Sequence, residues 1–531
     1  MSTHRTPAAI LTATRIVAFR WRIPAVNMTL LEVLLSIMYF VVLFCLEFTN
    51  SLPYYDVAVW GNRAGHLAAI QFPLIVALSG KNNVIGMITG LSHEKLNLMH
   101  RVVSRVLMIL VWVHLVGTYQ HWQTGAHRNE RPWIYASWIV AGMIACLAQT
   151  ILVSLSWEPI RRRFYEFFFL AHMVLVTITM ICAMYHIHTS DMLFDLYASP
   201  YFWPSFVVWG VDRAARLIRV LLLNSVFKST KDLGQVDLTT SDTLLITVKR
   251  HIPRGLKWRA GQHMFVAFPS LGPGQSHPLT VASVVERDAK EQELVFVVRV
   301  RDGLTRKLKD HVVEVGACEV PVILDGPYGS PPDITPFSTC VFIAGGSGIT
   351  FTLPRFEDLV NQVNDGKACA RSITFIWAIR ERGHMRWVSK RLAEITALVP
   401  PHVALSVSIF ITSSTGAAEL TNSDGTSTPT MSEDSSDDVE KRSQAATFGG
   451  GGEDDLEEKF DRIALYRERP DLKKMLEEEV KGSEGPVSVD VSGPQTLIAT
   501  VRSVLSSDFA SPLSVLKGAP TVQLNVEAFS M

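Results

Sequence analysis

The sequence has 531 residues with 50 basic and 50 acidic side chains, and its net charge of zero points to no nucleic-acid partner. Its length allows three domains. Six cysteines are scattered without a CxxC pair, which argues against a disulfide framework and a thiolate metal site. Hydrophobic residues make up 48% of the chain and are concentrated in residues 1–225, so the sequence predicts a membrane region followed by soluble domains.

Candidate membrane spans lie at residues 29–48, 64–79, 98–120, 133–156, 164–186 and 193–211. The second contains Pro73, and the sixth contains Pro200 and Pro204. Both are retained because a helix inside a bundle need not be uniformly apolar. The first residues lack the apolar run and cleavage site of a secretory signal, so the first span itself is expected to direct insertion.

Basic residues predict the orientation of these spans. One side of a six-span arrangement would carry Arg15, Arg20, Arg22, Lys81, Lys95, Arg101, Arg105, Arg161, Arg162, Arg163, Arg213, Arg216 and Arg219. The opposite connections carry only Arg63, Arg128 and Arg131. Since basic residues remain on the cytoplasmic side, both termini are expected to be cytoplasmic in a multi-pass membrane protein.

Two of the predicted spans each carry a pair of histidines: His100 and His114 on the third, and His172 and His186 on the fifth. The spacing within each pair corresponds to nearly four helical turns, or about 21 Å, so both rings project from nearly the same face. One histidine in an apolar helix is usually a satisfied core residue, but four at a repeated spacing indicate a site. If the two spans are parallel neighbours, His100 meets His172 and His114 meets His186. Two imidazoles per site suit an electron-transferring haem iron, so the sequence predicts two b-type haems.

Other residues near these histidines allow more than one interpretation. Zinc is disfavoured because no sulfur or carboxylate ligand lies at matching depth. Arg101 and Arg105 are candidates to neutralise haem propionates, or they are ordinary cytoplasmic flanking charges. Beyond the bundle on the far side, His121, His127 and His188 are either solvated or in contact with a metal substrate.

The pattern changes to period two after the bundle. Residues 243–249, 264–268 and 294–301 are predicted strands, separated by turns such as residues 271–274. Several short strands without a long helix indicate a small β-barrel.

A nucleotide-binding α/β unit is predicted next. Residues 341–344 form a buried strand, residues 345–350 (GGSGIT) a glycine turn, and a helix continues through Phe356. In this order of elements, backbone N–H groups at the start of the helix point toward a bound phosphate. So short a glycine motif is not by itself specific for nucleotide binding. A second buried strand at residues 373–379 follows after one crossover length, which supports the assignment.

A polar, acidic stretch at residues 412–458 has hardly any aromatic side chains and is predicted to be a disordered insertion or a passive surface loop. Residues 462–480 are predicted to be helical. The strand 487–491 and the turn Ser492-Gly493-Pro494 follow.

The whole pattern resembles the fungal ferric reductases, which belong with the NADPH oxidases to one superfamily of transmembrane reductases. The resemblance runs from about residue 30 to residue 531, apart from the acidic insertion. Besides the doubled histidine spacing, it rests on residues 260–263 (AGQH), 277–283 (HPLTVAS), 377–380 (WAIR) and 527–531 (EAFSM).

The resemblance implies a multi-domain fold: an all-α six-span haem bundle followed by a ferredoxin-NADP reductase-like module. The expected divisions are a cytoplasmic segment (1–28), the transmembrane haem domain (29–225), a β-barrel FAD-binding domain (232–335) and an α/β NADPH-binding domain (338–531).

By the same resemblance, His277, Pro278 and Thr280 would contact FAD, with Thr280 a donor near the flavin nitrogen that accepts hydride. Leu279 stands where relatives usually have an aromatic residue that stacks on the flavin. The stretch that steadies the flavin pyrophosphate would comprise Arg299, Gly303 and Thr305.

For NADPH, the resemblance assigns the pyrophosphate to Gly345, Gly346, Gly348 and Thr350. Arg380 would pair with the 2′-phosphate, because its planar fork matches phosphate oxygens.

Ser492, Gly493 and Pro494 would lie beside the nicotinamide, where relatives commonly have Cys-Gly-Pro. Phe529 would lie near the flavin, although relatives often end near an aromatic residue and this chain ends in Met531.

The function implied is electron transfer from cytoplasmic NADPH through FAD and two haems to an extracytoplasmic ferric or cupric chelate, most simply at the plasma membrane. A superoxide-forming NADPH oxidase shares every cofactor, but the chain has no calcium-binding loop of EF-hand type. A catalytically silent haem protein is the alternative suggested by Leu279, Ser492 and Met531. Oligomeric state is left open by the sequence.

Overall fold

A computed structural model of the protein describes residues 5–23, 28–49, 57–89, 93–124, 136–189, 200–224, 233–272, 274–413 and 463–528. The acidic stretch, apart from Thr412 and Ser413, lies outside these residues, as do His127, Arg128, Arg131 and the last three residues of the chain.

The N-terminal half is built of helices. In chain order these are α1 (Thr6–Arg15), α2 (Leu30–Phe48), α3 (Val57–Ser79), α4 (Val84–Thr89), α5 (His93–Thr124), α6 (Ser137–Leu155), α7 (Glu158–Arg163), α8 (Tyr165–Thr189) and α9 (Pro204–Leu223). Between α1 and α2 lie a π-helical turn and the two short antiparallel strands β1 (Arg22–Ile23) and β2 (Met28–Thr29). Helix α2 begins at a capping box, in which the Thr29 side chain accepts from Glu32 N and the Glu32 carboxylate accepts from Thr29 N.

Four of the described helices are long and apolar enough to cross a bilayer: α2, most of α5, α6 and α8. The predicted first, third, fourth and fifth spans correspond to them. The second corresponds to α3, which contains Pro73 and packs along α5. The bounds of the sixth were wrong, because α9 begins at Pro204 and continues to Leu223 rather than ending at Val211. Proline is favoured in the first turn of a helix, where its missing N–H costs nothing, so Pro204 begins the helix instead of interrupting it.

The next region contains strands β3 (Leu233–Thr240), β4 (Thr243–Arg250), β5 (His263–Ala267), β6 (His277–Thr280), β7 (Gln292–Arg299), β8 (Cys318–Pro321) and β9 (Ile323–Tyr328). They form a four-stranded sheet in the order β7-β4-β3-β8 and a three-stranded sheet in the order β6-β5-β9, around one hydrophobic core. The prediction of strands without a long helix was wrong in one respect, because α10 (Leu304–Val315) follows β7. Its apolar residues Leu304, Leu308 and Val312 recur at helical spacing and are buried.

The C-terminal region contains β10 (Thr339–Gly345), α11 (Ile349–Asn364), β11 (Ser372–Ile379), α12 (Ser389–Leu398), β12 (Ala404–Ile411), β13 (Ile463–Tyr466), α13 (Leu472–Gly482), β14 (Val487–Gly493), α14 (Gln495–Val504), α15 (Pro512–Lys517) and β15 (Val522–Ala528). The strands form one parallel sheet in the order β13-β12-β11-β10-β14-β15. The predicted helix at 462–480 was wrong in its first part, because residues 463–466 pair with β12 and the helix begins at Leu472.

One buried ion pair joins α11 to the sheet. Arg355 Nε donates to the carboxylate of Asp490 on β14, and the two side chains are 5% and 1% exposed. The Arg355 Nη2 group also donates to Pro332 O (3.0 Å), while Asn525 Nδ2 donates to the other Asp490 oxygen (2.6 Å). Each charge is therefore neutralised and hydrogen-bonded, as burial requires.

We expect Asp490→Asn to destabilise the protein by about 3 kcal/mol, because the Arg355 cation would remain buried without a counter-charge. Thermal unfolding of the detergent-solubilised protein measures this change. The matched control is Glu484→Gln, which removes the partner of Arg371 from an exposed pair (73% and 78% exposed) and is expected to cost less than about 1 kcal/mol. Equal losses in the two variants would contradict this account of the buried pair.

Candidate functional site

The four predicted histidines form two pairs between helices α5 and α8. The ring centroids of His100 and His172 are 6.3 Å apart, and those of His114 and His186 are 6.1 Å apart. Both helices are therefore arranged as the spacing predicted, with one pair about four turns from the other along the helices.

These separations fit a metal ion held between two imidazoles. A metal–imidazole bond is roughly 2 Å long, and the ring centre lies about 1 Å beyond the nitrogen, so two opposed rings would have centroids about 6 Å apart. Among the described residues, no three His, Cys, Asp or Glu side chains are grouped as a metal site. Two imidazoles are thus the donor set that each position offers, and this set suits an iron whose other ligands come from a porphyrin.

Backbone carbonyl groups orient three of the four rings. The Nδ1 atoms of His100, His114 and His186 lie 2.9, 2.8 and 2.8 Å from the carbonyl oxygens of Ile75, Gly61 and Trp138. A carbonyl only accepts, so each Nδ1 must carry the proton and each Nε2 must present its lone pair. Hydrogen bonds of this kind fix the tautomer and the ring direction of metal-binding histidines.

The fourth ring is held differently. His172 Nδ1 is buried and has no hydrogen-bond partner among the described residues. Its ring instead packs against Phe168, one turn earlier on α8, with centroids 5.4 Å apart.

Glycines make room for the rings of His114 and His186. A Cβ added at Gly65 would lie 2.8 Å from His114 Nδ1, and one added at Gly142 would lie 2.7 Å from His186 Nδ1. Gly61 and Gly117 bring α3 and α5 together, since a Cβ on Gly117 would be 2.9 Å from the Gly61 Cα. The sequence reasoning missed these residues, although Gly61 and Gly65 have the four-residue spacing typical of close helix contacts in membranes.

The other candidates near the pairs differ in exposure. Arg101 Nε is buried without a partner among the described residues, which fits an anionic group such as a haem propionate, whereas Arg105 is exposed. His188 is exposed at the end of α8, and His121 is half-buried near the end of α5.

The predicted flavin residues His277, Pro278 and Thr280 lie on β6, close to the first turn of α8. Gln275, just before β6, donates through Nε2 to Glu166 Oε1 (3.1 Å) on that turn. The Nε2 atom of His277 is buried without a hydrogen-bond partner in the described part of the chain. Burial lowers the pKa of His277 despite the opposing charge of Glu166, so a neutral ring faces this region.

Thr280 is buried and pairs across the ladder with His263 on β5. Burial, with smaller contributions from His93 and Lys81, lowers the pKa of His263 to about 4. His263 is therefore neutral at pH values near 7, and it stacks on Tyr328, with centroids 6.0 Å apart. Leu279 is half-buried and packs against the hydrophobic core of this domain.

Arg299, Gly303 and Thr305 lie together where β7 leads into α10. Arg299 pairs with Asp242 (3.3 Å), and Gly303 has a φ of 81° at the N-cap of α10. The Thr305 hydroxyl bonds to both the N–H and the C=O of Arg301. The free N–H groups of this helix start are suited to an anion such as a pyrophosphate.

The glycine turn and the Ser492–Pro494 turn meet at the carboxyl ends of β10 and β14. A Cβ on Gly348 would lie 2.1 Å from Ser492 O, and one on Gly345 would lie 2.7 Å from Pro494 Cδ. Gly346 has a φ of 56°, in the left-handed region. The sequence predicted both turns but not that they touch each other.

Several of these side chains are turned inward. Thr350 is buried and its hydroxyl donates to Ser347 O (3.0 Å), so it shapes the turn. Ser492 is fully buried, and its Oγ has no partner among the described residues. Arg380 is exposed directly after β11, at the same sheet edge as the glycine turn, and Phe529 lies outside the described residues.

Three family models match the chain in order. Residues 64–183 match a ferric reductase like transmembrane component, residues 229–332 an FAD-binding domain, and residues 337–506 a ferric reductase NAD binding domain. The first contains all the paired histidines except His186. The second covers the two-sheet region, and the third covers the parallel sheet except for β15.

Curated relatives match across these regions. A probable cell surface ferric reductase of Aspergillus oryzae is 29% identical, over 64% of this chain and 46% of the relative. Two Candida albicans proteins, a probable ferric reductase transmembrane component and ferric/cupric reductase transmembrane component 1, are 25% and 26% identical over 83% of this chain, covering 61% and 54% of those proteins. The chain thus spans about half the length of these relatives.

We expect Gly65→Ala to displace His114, because the added methyl group would overlap the His114 ring. Haem binding should be weakened at the His114–His186 pair only. Gly210→Ala is the matched control, since a Cβ at that helical position meets nothing within 4 Å. Haem content per chain and the reduced-minus-oxidised spectrum measure the effect. Loss of about one haem of two in Gly65→Ala alone is expected, and full haem content in that variant would contradict the proposed crowding.

Proposed function

We propose that this chain, a member of the ferric reductase family through its three matched regions, transfers electrons from cytosolic NADPH across a membrane to a ferric or cupric chelate. The observation that carries the proposal is the pair of imidazole sites, one beyond the other along α5 and α8, with separations of 6.3 and 6.1 Å. When bound, FAD would accept a hydride from NADPH, and two b-type haems would carry electrons singly across the bilayer.

The residues fit this assignment in a consistent way. His100 and His172 would hold the inner haem, and His114 and His186 the outer one. The carbonyl of Ile75 orients the inner ring on α5, and the carbonyls of Gly61 and Trp138 orient both outer rings. A haem iron held by two imidazoles would have no coordination site open to oxygen, so these residues would favour electron transfer over oxygen binding.

The flavin site and the inner site are proposed to be neighbours. Gln275, two residues before His277, contacts Glu166 at the start of α8, and His172 lies less than two turns further along that helix. His277, Pro278 and Thr280 would contact FAD, and Arg299, Gly303 and Thr305 would steady its pyrophosphate. The buried, unpaired Nε2 of His277 supports a hydrogen-bonding group in this space.

For NADPH, we propose that Gly345, Gly346 and Gly348 allow the pyrophosphate to approach the backbone. Ser492, Gly493 and Pro494 would lie beside the nicotinamide on the adjacent strand. Arg380, at the same sheet edge, would bind the 2′-phosphate through its planar guanidinium group.

We further propose six spans with both termini in the cytoplasm, α3 and α9 serving as the two less apolar spans. The N-terminal segment packs against the nucleotide-binding domain, so both lie on one side. The basic residues counted from the sequence assign that side to the cytoplasm. The plasma membrane is the proposed location, by analogy with the relative described as a cell surface protein.

His114→Ala is expected to abolish metal-chelate reduction outside the cell, because the outer haem would lose one of the two imidazoles proposed to hold it. NADPH oxidation with an artificial acceptor that takes electrons from flavin is expected to stay within about twofold of the parent. His402→Ala, which changes an exposed histidine just before β12, is the control. Undiminished chelate reduction in His114→Ala, or reduction that superoxide dismutase suppresses in the parent, would contradict the proposed route or acceptor.

Arg380→Ala is expected to raise the KM for NADPH by about tenfold or more and to leave the KM for NADH within about twofold, because only NADPH carries the 2′-phosphate. The control is Arg371→Ala, which removes an exposed arginine at the opposite end of β11. Steady-state kinetics with both nucleotides measure the change. Equal increases for NADPH and NADH would show that Arg380 does not read the 2′-phosphate.

A further inference from the structure

The N-terminal segment, residues 5–23, is attached to the nucleotide-binding domain at its far end. Helix α1 packs against α15, and Ala9 and Thr12 are buried. Arg15 Nη2 lies 3.4 Å from Gln523 Oε1 on β15. The proposed cofactor contacts involve none of these residues.

Arg20 makes the most specific contact of this segment. Its side chain is buried, and its guanidinium donates to the carbonyl groups of Leu505 and Val522, the latter at 2.8 Å. Leu505 is the C-cap of α14, where backbone carbonyls lack helical partners and the helix dipole is negative. Burial, with a smaller contribution from Arg15, lowers the pKa of Arg20 to about 10, so the group remains charged at cytosolic pH.

The second acceptor lies on the edge strand of the sheet. Thr521 O accepts from Val487 N, so the next carbonyl, that of Val522, faces away from the sheet. A carbonyl group on the outer side of an edge strand has no partner within the sheet, and the guanidinium group of Arg20 donates a hydrogen bond to it. Val522 is the first residue of β15. This contact therefore lies at the amino ends of the parallel strands, whereas the glycine turn lies at their carboxyl ends.

The other end of the segment contacts the bundle. The Lys95 ammonium lies 5.0 Å from the centre of the Phe19 ring, and Lys95 is in the first turns of α5, five residues before His100. Leu30 N, at the start of α2, donates to Trp21 O (3.1 Å). The two residues that flank Arg20, Phe19 and Trp21, therefore contact the beginnings of α5 and α2.

We propose that the N-terminal segment is a second attachment between the nucleotide-binding domain and the membrane bundle, with Arg20 as the positioning residue that holds this domain for hydride transfer. The inference rests on the proposed function. The chain already joins the two parts through the flavin domain, and a second attachment confines the nucleotide-binding domain to fewer orientations. A domain so restrained spends more time with its nicotinamide site against the flavin, which raises the rate of flavin reduction without altering nucleotide affinity.

The test uses the full chain in detergent with Arg20→Ala and the conservative variant Arg20→Lys. Thr14→Ala is the matched control, because Thr14 is exposed and its hydroxyl bonds only to Ile10 O within α1. Hydrogen–deuterium exchange reports release of the segment directly. Arg20→Ala should speed exchange in residues 5–23 and 505–523 by about tenfold or more, as expected for the loss of two charge-assisted hydrogen bonds.

Stopped-flow reduction of bound flavin by NADPH separates positioning from binding. We expect the maximal rate per bound flavin to fall about tenfold in Arg20→Ala with KM for NADPH within about twofold, and Arg20→Lys to recover part of the rate. The dithionite-reduced haem spectrum should be unchanged, because dithionite bypasses the nucleotide-binding domain. Unaltered exchange in Arg20→Ala, or faster exchange with an unaltered flavin-reduction rate, would overturn the proposal.

The proposed function fails separately, through the absence of haem or of NADPH-dependent flavin reduction in the parent. In that case the exchange comparison still decides whether the segment is attached through Arg20.

Discussion

The structure depends on the orientation of four imidazole rings, those of His100, His114, His172 and His186. Helical periodicity brings each pair of histidines to one face, but only a hydrogen bond from Nδ1 to a carbonyl selects the tautomer that leaves Nε2 free. Three of the rings have such a bond, to Ile75, Gly61 and Trp138. Because these carbonyls belong to neighbouring helices, the packing of α3 on α5 and of α6 on α8 fixes the ring positions.

The two strand-rich domains are arranged around one end of the same two helices. Strand β6, which carries the proposed flavin contacts, is connected with α8 through Gln275 and Glu166, and Lys95 on α5 lies over Phe19 of the N-terminal segment. The same segment contacts the nucleotide-binding domain through the Arg20 side chain, which donates to Val522 O. Contacts of α5 and α8 with both of these domains thus give a physical basis for ordering the proposed electron donors along one line.

Sequence reasoning succeeded where a local periodicity determines the structure. The histidine spacing predicted both pairs, and three strands of the parallel sheet, β10, β11 and β14, were predicted at residues 341–344, 373–379 and 487–491. It failed where the outcome depends on distant residues: the run at 463–466 becomes a strand only because β12 offers an edge, and Gly65 and Gly142 matter only because histidines on other helices approach them. The contact of Arg20 with Leu505 joins residues too far apart in the chain for any local pattern to indicate.

The most direct test of the central claim is the spin state and number of haems in the purified chain. Electron paramagnetic resonance of the oxidised protein, combined with a pyridine haemochrome assay, measures both. Two haems per chain, each giving a low-spin ferric signal typical of two imidazole ligands, is the predicted result. A chain without porphyrin, or one whose iron is high-spin and five-coordinate, would contradict the pairing of His100 with His172 and of His114 with His186.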